Sequence, residues 1–165
     1  MELIVVRHAI ALERDLAHQK GIPDSERPLT NEGTIKFEKM AKALQKIEVG
    51  VELIVSSKLL RAQQTAKILL KNFPKSESLE SHNLSPEKSP QDIVGELETL
   101  HHKKIAIVGH EPNLSALTAW LVTKQLTPFV KFKKGGILKL KFPEKVKEGT
   151  GVLTWYLTPG TLLKI

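Results

Sequence analysis

The chain is expected to fold as a three-layer α/β/α sandwich around a mostly parallel central sheet. Short, nearly continuous apolar runs at residues 3–6, 53–55 and 105–108 fit strands buried on both faces. Segments of helical periodicity lie between them, and alternation of strand and helix is the pattern of a layered α/β domain. Two later runs, 137–142 and 152–157, lie close together, and the first alternates with lysines, as in an antiparallel pair at or near a sheet edge.

The first strand runs into Arg7-His8, and residues 21–28 read as a polar loop from which Arg27 could reach an anionic substrate. A helix over 30–47 opens with Thr30-Asn31-Glu32-Gly33 and places Ile35, Met40, Ala43, Leu44 and Ile47 at mainly helical spacing. The second strand leads through Ser56-Ser57 into a helix over 59–70, with Leu59, Ala62, Ala66 and Leu69 on one face and Ser57 as its expected cap. A third helix, 92–100, aligns Ile93, Leu97 and Leu100, and His101-His102-Lys103-Lys104 reads as its solvated, cation-rich end. The fourth helix covers 113–122, with Pro112 suited to its first turn. No repeat, low-complexity tract or long linker interrupts the pattern, so residues 1–165 are expected to form one domain.

With five Phe, two Trp and one Tyr, the core must rest on aliphatic side chains. The lack of cysteine excludes disulfides, thiolate zinc sites and a Cys nucleophile. No segment approaches the roughly 18 apolar residues of a membrane span, and Arg7 interrupts the opening run too early for a signal peptide. The expectation is a cytoplasmic protein with no membrane partner, monomeric or weakly dimeric. The net charge of +7 has a local origin, since residues 124–148 carry eight lysines against Glu144 and Glu148. A solvated lysine-rich face is the plain reading. Attraction to phosphorylated ligands is the functional one, and nucleic acid is not the expected partner without an aromatic-interleaved or zinc-finger motif.

Three strand ends present polar groups: Arg7-His8, Ser57 to Arg61, and Gly109-His110-Glu111-Pro112-Asn113. In open α/β sheets ligands bind outside the carboxyl ends of strands, so Arg7, His8, Arg61 and His110 are expected to converge on one crevice. Arginine forks match phosphate oxygens, and a neutral imidazole can attack phosphorus and divide one hard step into two. No carboxylate cluster or Cys/His spacing implies a metal or other cofactor.

The same segments resemble the histidine phosphatase superfamily, which includes phosphoglycerate mutases and acid phosphatases. Val5-Val6-Arg7-His8-Ala9 is similar to its Arg-His-Gly signature, and Leu29-Thr30-Asn31-Glu32-Gly33 to its Leu-Thr-x-x-Gly segment. Ser57-Lys58-Leu59-Leu60-Arg61-Ala62-Gln63-Gln64-Thr65-Ala66 resembles its second signature, and Val108 to Asn113 the segment with its second catalytic histidine. The short length resembles the compact phosphohistidine phosphatase subgroup, as do Lys133 to Ile137 and Leu157-Thr158-Pro159. The resemblance implies a phosphoglycerate mutase-like fold and a hydrolase in which His8 is the nucleophile. Arg7 and Arg61 would hold the phosphoryl oxygens, and His110 would complete the pocket. Glu111 is a candidate proton donor, but its backbone N–H near the helix start is expected to matter more, as a contact to phosphate, and Asn113 is expected to cap or orient the helix.

Two departures matter. Ala9 stands where the family has glycine. The acid that many members use on the leaving oxygen has no clear match, Glu80 and Glu87 lying in the right region without a motif. A missing acid suits a phosphohistidine on a protein, whose imidazole leaves more readily than an alkoxide. A small phosphorylated metabolite is the alternative substrate, and an inactive phosphate- or nucleic-acid-binding module is the alternative of another class.

Overall fold

The computed structural model describes residues 1–47 and 50–162. The strands are β1 (Glu2–Arg7), β2 (Leu53–Ser57), β3 (Glu77–Ser81), β4 (Lys104–Gly109), β5 (Ile137–Lys141) and β6 (Val152–Leu157). They form one sheet in the order β3-β2-β4-β1-β5-β6. β1 to β4 are mutually parallel, β5 runs antiparallel to β1, and β6 runs antiparallel to β5. The helices are α1 (Arg14–Gln19), α2 (Asn31–Lys46), α3 (Leu60–Asn72), α4 (Pro90–Thr99), α5 (Asn113–Thr123) and the short α6 (Pro159–Leu162).

Alternation along the strands divides the core in two. Leu3, Val5, Val55, Ile105, Ile107, Leu138 and Leu140 face α4 and α5. Ile4, Val6, Ile54, Ala106, Val108 and Ile137 face α2 and α3, against Phe37, Met40, Leu44 and Leu69. Both faces of the sheet are therefore covered, which makes the expected three layers and explains why β1, β2 and β4 read as continuous apolar runs.

β3 was not anticipated. Four of its five residues are exposed and Leu79 is its only large apolar side chain, so its pairing with β2 leaves little hydropathy signal. α1 and a 3-10 turn at Asp24–Glu26 are likewise additions, the latter inside the expected loop. Three local expectations need correction. Ser57 does not cap α3; the N-cap is Leu59, whose N–H meets Ser57 Oγ at 3.4 Å. Pro112 is the N-cap of α5 rather than a residue of its first turn. α4 ends at Thr99, so His101 to Lys103 form the connection into β4, with His102 Nε2 3.6 Å from the Glu77 carboxylate.

Candidate active site

β1 and β4 are neighbours, yet the chain leaves β1 for the α2–α3 layer and β4 for the α5 layer. The connections thus diverge beyond the strands' carboxyl ends and leave a crevice there. Register brings Arg7 opposite Gly109, and the His8 N–H donates to the Gly109 carbonyl at 3.1 Å. The ladder therefore sets His8 beside His110, with ring centroids 5.1 Å apart and planes tilted by 49°.

His8 Nδ1 lies 2.7 Å from the Ala9 carbonyl. A carbonyl only accepts, so Nδ1 carries the proton in the neutral ring and Nε2 keeps the lone pair. Burial lowers the His8 pKa to about 3, helped by the positive charges of Arg61, Arg7 and Arg27. Burial likewise lowers His110 to about 2, with His8 and Arg61 adding to the effect. Both rings are neutral at physiological pH.

Arg7 Nη1 donates to the Phe132 carbonyl at 2.6 Å. Arg61, only 3% exposed, donates from Nη1 to the Asp24 carbonyl (2.7 Å) and from Nη2 to Asp24 Oδ2 (3.1 Å). The other Asp24 oxygen accepts from Arg27 Nε at 2.9 Å and lies 3.3 Å from Arg14 Nε. Burial tends to raise the Asp24 pKa, but Arg61, Arg27 and Arg14 outweigh it and hold the carboxyl below its ordinary value. Arg27 Nη1 is tied to the Leu12 carbonyl at 2.6 Å. The resulting cleft, of about 280 Å³, is lined by Arg7, Arg14, Arg27, Arg61 and Lys134 around His8 and His110. Arg7 Nε, Arg61 Nε and both ring nitrogens of His110 are buried without a hydrogen-bond partner among the described residues. The two arginine Nε–H groups and the single N–H of the neutral His110 ring are donors, costly when buried unless something accepts from them, and together they describe an anion site.

The surrounding motif residues fasten this arrangement. Thr65 Oγ1 accepts from the Ala9 N–H (3.1 Å) and donates to the Arg61 carbonyl (2.7 Å), tying the two signatures together. Gln64 Oε1 accepts from the Leu29 N–H at 2.7 Å. Thr30 caps α2, and a Cβ on Gly33 would lie 2.1 Å from the Ile10 carbonyl oxygen, so only glycine fits there. Asn113 Nδ2 faces the carbonyls of Ser85, Pro86 and Lys88 (2.6–3.3 Å), orienting α5 against that loop.

The structure brings Arg7, His8, Arg61 and His110 into one cleft, with Arg27 beside them. Glu111 also lines it, its carboxylate accepting from Ser115 Oγ at 2.7–2.8 Å. Glu80 and Glu87 do not line it: Glu80 accepts from Gln63 Nε2 at 2.6 Å and Glu87 faces His82 at 3.8 Å. Sequence reasoning missed Asp24, and its one signal was an acid three residues before Arg27 in a polar loop. Among the described residues no three His, Asp or Glu side chains cluster as metal ligands, and no helix is long and apolar enough to cross a membrane.

A sequence profile of the histidine phosphatase superfamily (branch 1) matches residues 3–84, the stretch that holds Arg7, His8 and Arg61. The chain belongs to the histidine phosphatase superfamily. An uncharacterized protein of Picosynechococcus sp. is 33% identical over 145 residues, covering 86% of this chain and 85% of that protein. Phosphohistidine phosphatase SixA of Escherichia coli K12 is 29% identical over 171 residues, covering 98% and 96%. The solved structure of the protein histidine phosphatase SixA complexed with tungstate superposes with a TM-score of 0.84 at 26% identity, covering 98% of this chain and 99% of that one. Membership of the superfamily, together with the likeness to the phosphohistidine phosphatase SixA, makes the chain a phosphatase.

Proposed function

We propose that this phosphatase hydrolyses phosphohistidine on a protein, carrying the phosphoryl group transiently on His8. The observation that carries the reading is the convergence of unpartnered buried donors of Arg7, Arg61 and His110 around a neutral imidazole with a free Nε2. In this mechanism His8 Nε2 attacks phosphorus and the substrate P–N bond breaks. The departing imidazole keeps the electron pair of that bond and leaves as neutral imidazole when its far nitrogen is protonated. Water then attacks the His8 phosphoramidate, releasing inorganic phosphate and restoring His8. Arg7, Arg61 and neutral His110 donate to the equatorial oxygens, so most of the catalysis is positioning and electrostatics. Glu111, its carboxylate engaged by Ser115, is assigned a main-chain contact to phosphate.

Two features favour phosphohistidine over an alkyl ester. The near full-length relative SixA is named for that substrate. Neither Glu80 nor Glu87 is placed to protonate a leaving alkoxide, and the Glu111 carboxylate, which lines the cleft, is engaged by Ser115. A positioned acid contributes roughly 10²–10⁴-fold on such esters. Steady-state kinetics should therefore rank a phosphohistidine peptide above p-nitrophenyl phosphate, and that above glycerol phosphate. Rapid quench should trap acid-labile, base-stable phosphate on the wild type and none on His8→Ala, which should also be inactive. Turnover by His8→Ala would refute the nucleophile, and preference for the alkyl ester would move the assignment to a small metabolite.

A further inference from the structure

We propose that a second cleft beside the phosphate pocket is a subsite for an acidic side chain of the substrate protein, close to its phosphohistidine. This deepens the protein-substrate reading and rests on it. The cleft, of about 270 Å³, has an apolar floor that includes Ala9, Phe37 and Pro159, and it is edged by Lys36, Lys133 and Lys134. Lys134 lines both clefts, so they share a wall. The lysine turn is fixed to the nucleophile's own backbone: the Gly135 N–H faces the carbonyls of Arg7 and His8 at 3.2 and 3.0 Å. The Lys133 N–H donates to Tyr156 Oη at 2.7 Å. The backbone that carries Lys133 and Lys134 thus stands at a set place relative to His8.

The lining also selects the ligand. Among the described residues no arginine fork and no buried unpartnered donor faces this cleft, so it lacks what marks the phosphate pocket. An apolar floor under flexible ammonium groups fits the methylene stem and carboxylate of Glu or Asp. Lys36 and Lys134 pair with the exposed Glu32 and Glu13, and Lys133 has no ion-pair partner among the described residues. Exposed pairs of this kind are weak and exchange readily for an incoming carboxylate.

The test uses a phosphohistidine peptide flanked by Glu, its Gln-flanked counterpart, and p-nitrophenyl phosphate, with the wild type and the Lys36→Gln/Lys133→Gln double variant. The wild type should favour the Glu peptide in kcat/KM by roughly threefold to tenfold, the range expected of a few exposed charge contacts. The double variant should lose that preference and retain its rate on p-nitrophenyl phosphate. No preference in the wild type, or an equal loss on all three substrates, overturns the subsite. A parallel titration follows the Gly33 and Gly135 amide resonances with the unphosphorylated Glu peptide. Shifts that vanish in the double variant support the cleft even if no phosphopeptide is hydrolysed, in which case the substrate reading falls alone. Phosphopeptide turnover without such shifts or preference removes the cleft and leaves the substrate reading standing.

Discussion

Asp24 holds three guanidiniums with one carboxylate, and two of them, on Arg61 and Arg27, are largely buried. Arg61 Nε has no partner among the described residues, so Asp24, which accepts from Nη1 and Nη2, sets the side chain's direction. Asp24→Asn keeps the shape and removes the charge from these bonds, and charge-assisted hydrogen bonds are about twice as strong as neutral ones. The variant is expected to lose roughly tenfold in kcat/KM, about 1.4 kcal/mol, and to show a lower thermal midpoint at neutral pH, because the depressed Asp24 pKa is a stabilising contribution that Asn lacks. Unaltered kinetics would show that Arg61 is positioned without Asp24. Arg7, His8, Arg61 and His110 were legible in the sequence because each follows an apolar strand run at a motif position. Asp24 was not, since a lone acid in a polar loop carries no periodicity and its partner Arg61 is 37 residues away.

Among the elements, the strands with a buried face on each side were readable, and so was β6 at one edge, whereas β3 at the other edge was not. β1, β2 and β4 announce themselves by apolar runs, whereas β3 pairs through its backbone with side chains that stay in water. β5 shows a subtler limit. Its lysine alternation suggests a solvated face, yet Lys139 is 9% exposed and pairs with Glu2 at 2.8 Å across the β1 neighbour. The entry to α2 is where an element and the site meet. Gly33 abuts the Ile10 carbonyl two residues beyond His8, and main chain cannot yield as a flexible side chain can. Gly33→Ala should therefore destabilise the fold by about 1–3 kcal/mol, as overpacking does, and lower kcat by displacing the segment that carries His8. Urea denaturation and steady-state kinetics on the same preparation would check both, and a neutral effect on stability would contradict the close approach.

At the scale of the whole molecule, the two neutral histidines make stability depend on pH. Their folded pKa values, about 3 for His8 and about 2 for His110, lie below the ordinary 6.5. Between those limits the unfolded chain binds more protons than the folded one, so this stabilisation is full above about pH 6.5 and is lost as pH falls through about 3 for His8 and about 2 for His110. The slope contributed by each ring approaches about 1.4 kcal/mol per pH unit. Thermal midpoints should drop from pH 7 to pH 4, less steeply in the folded portion of His8→Ala, and the imidazole resonances of both residues should stay flat from pH 8 to 5. An inflection near 6.5 for either ring would show an open, solvated pocket instead.

The ladder that seats His8 beside His110 joins strands far apart along the chain: Glu2 pairs with Lys104, and on the other side with Lys141. Closing such long loops is slow compared with forming helices. The crevice cannot exist until both ends of the chain have come together, whatever helical content has already been acquired. During refolding, catalysis should return only with this last long-range zippering, well after the circular dichroism of the helices. Turnover is in that sense a clock for completion of the fold.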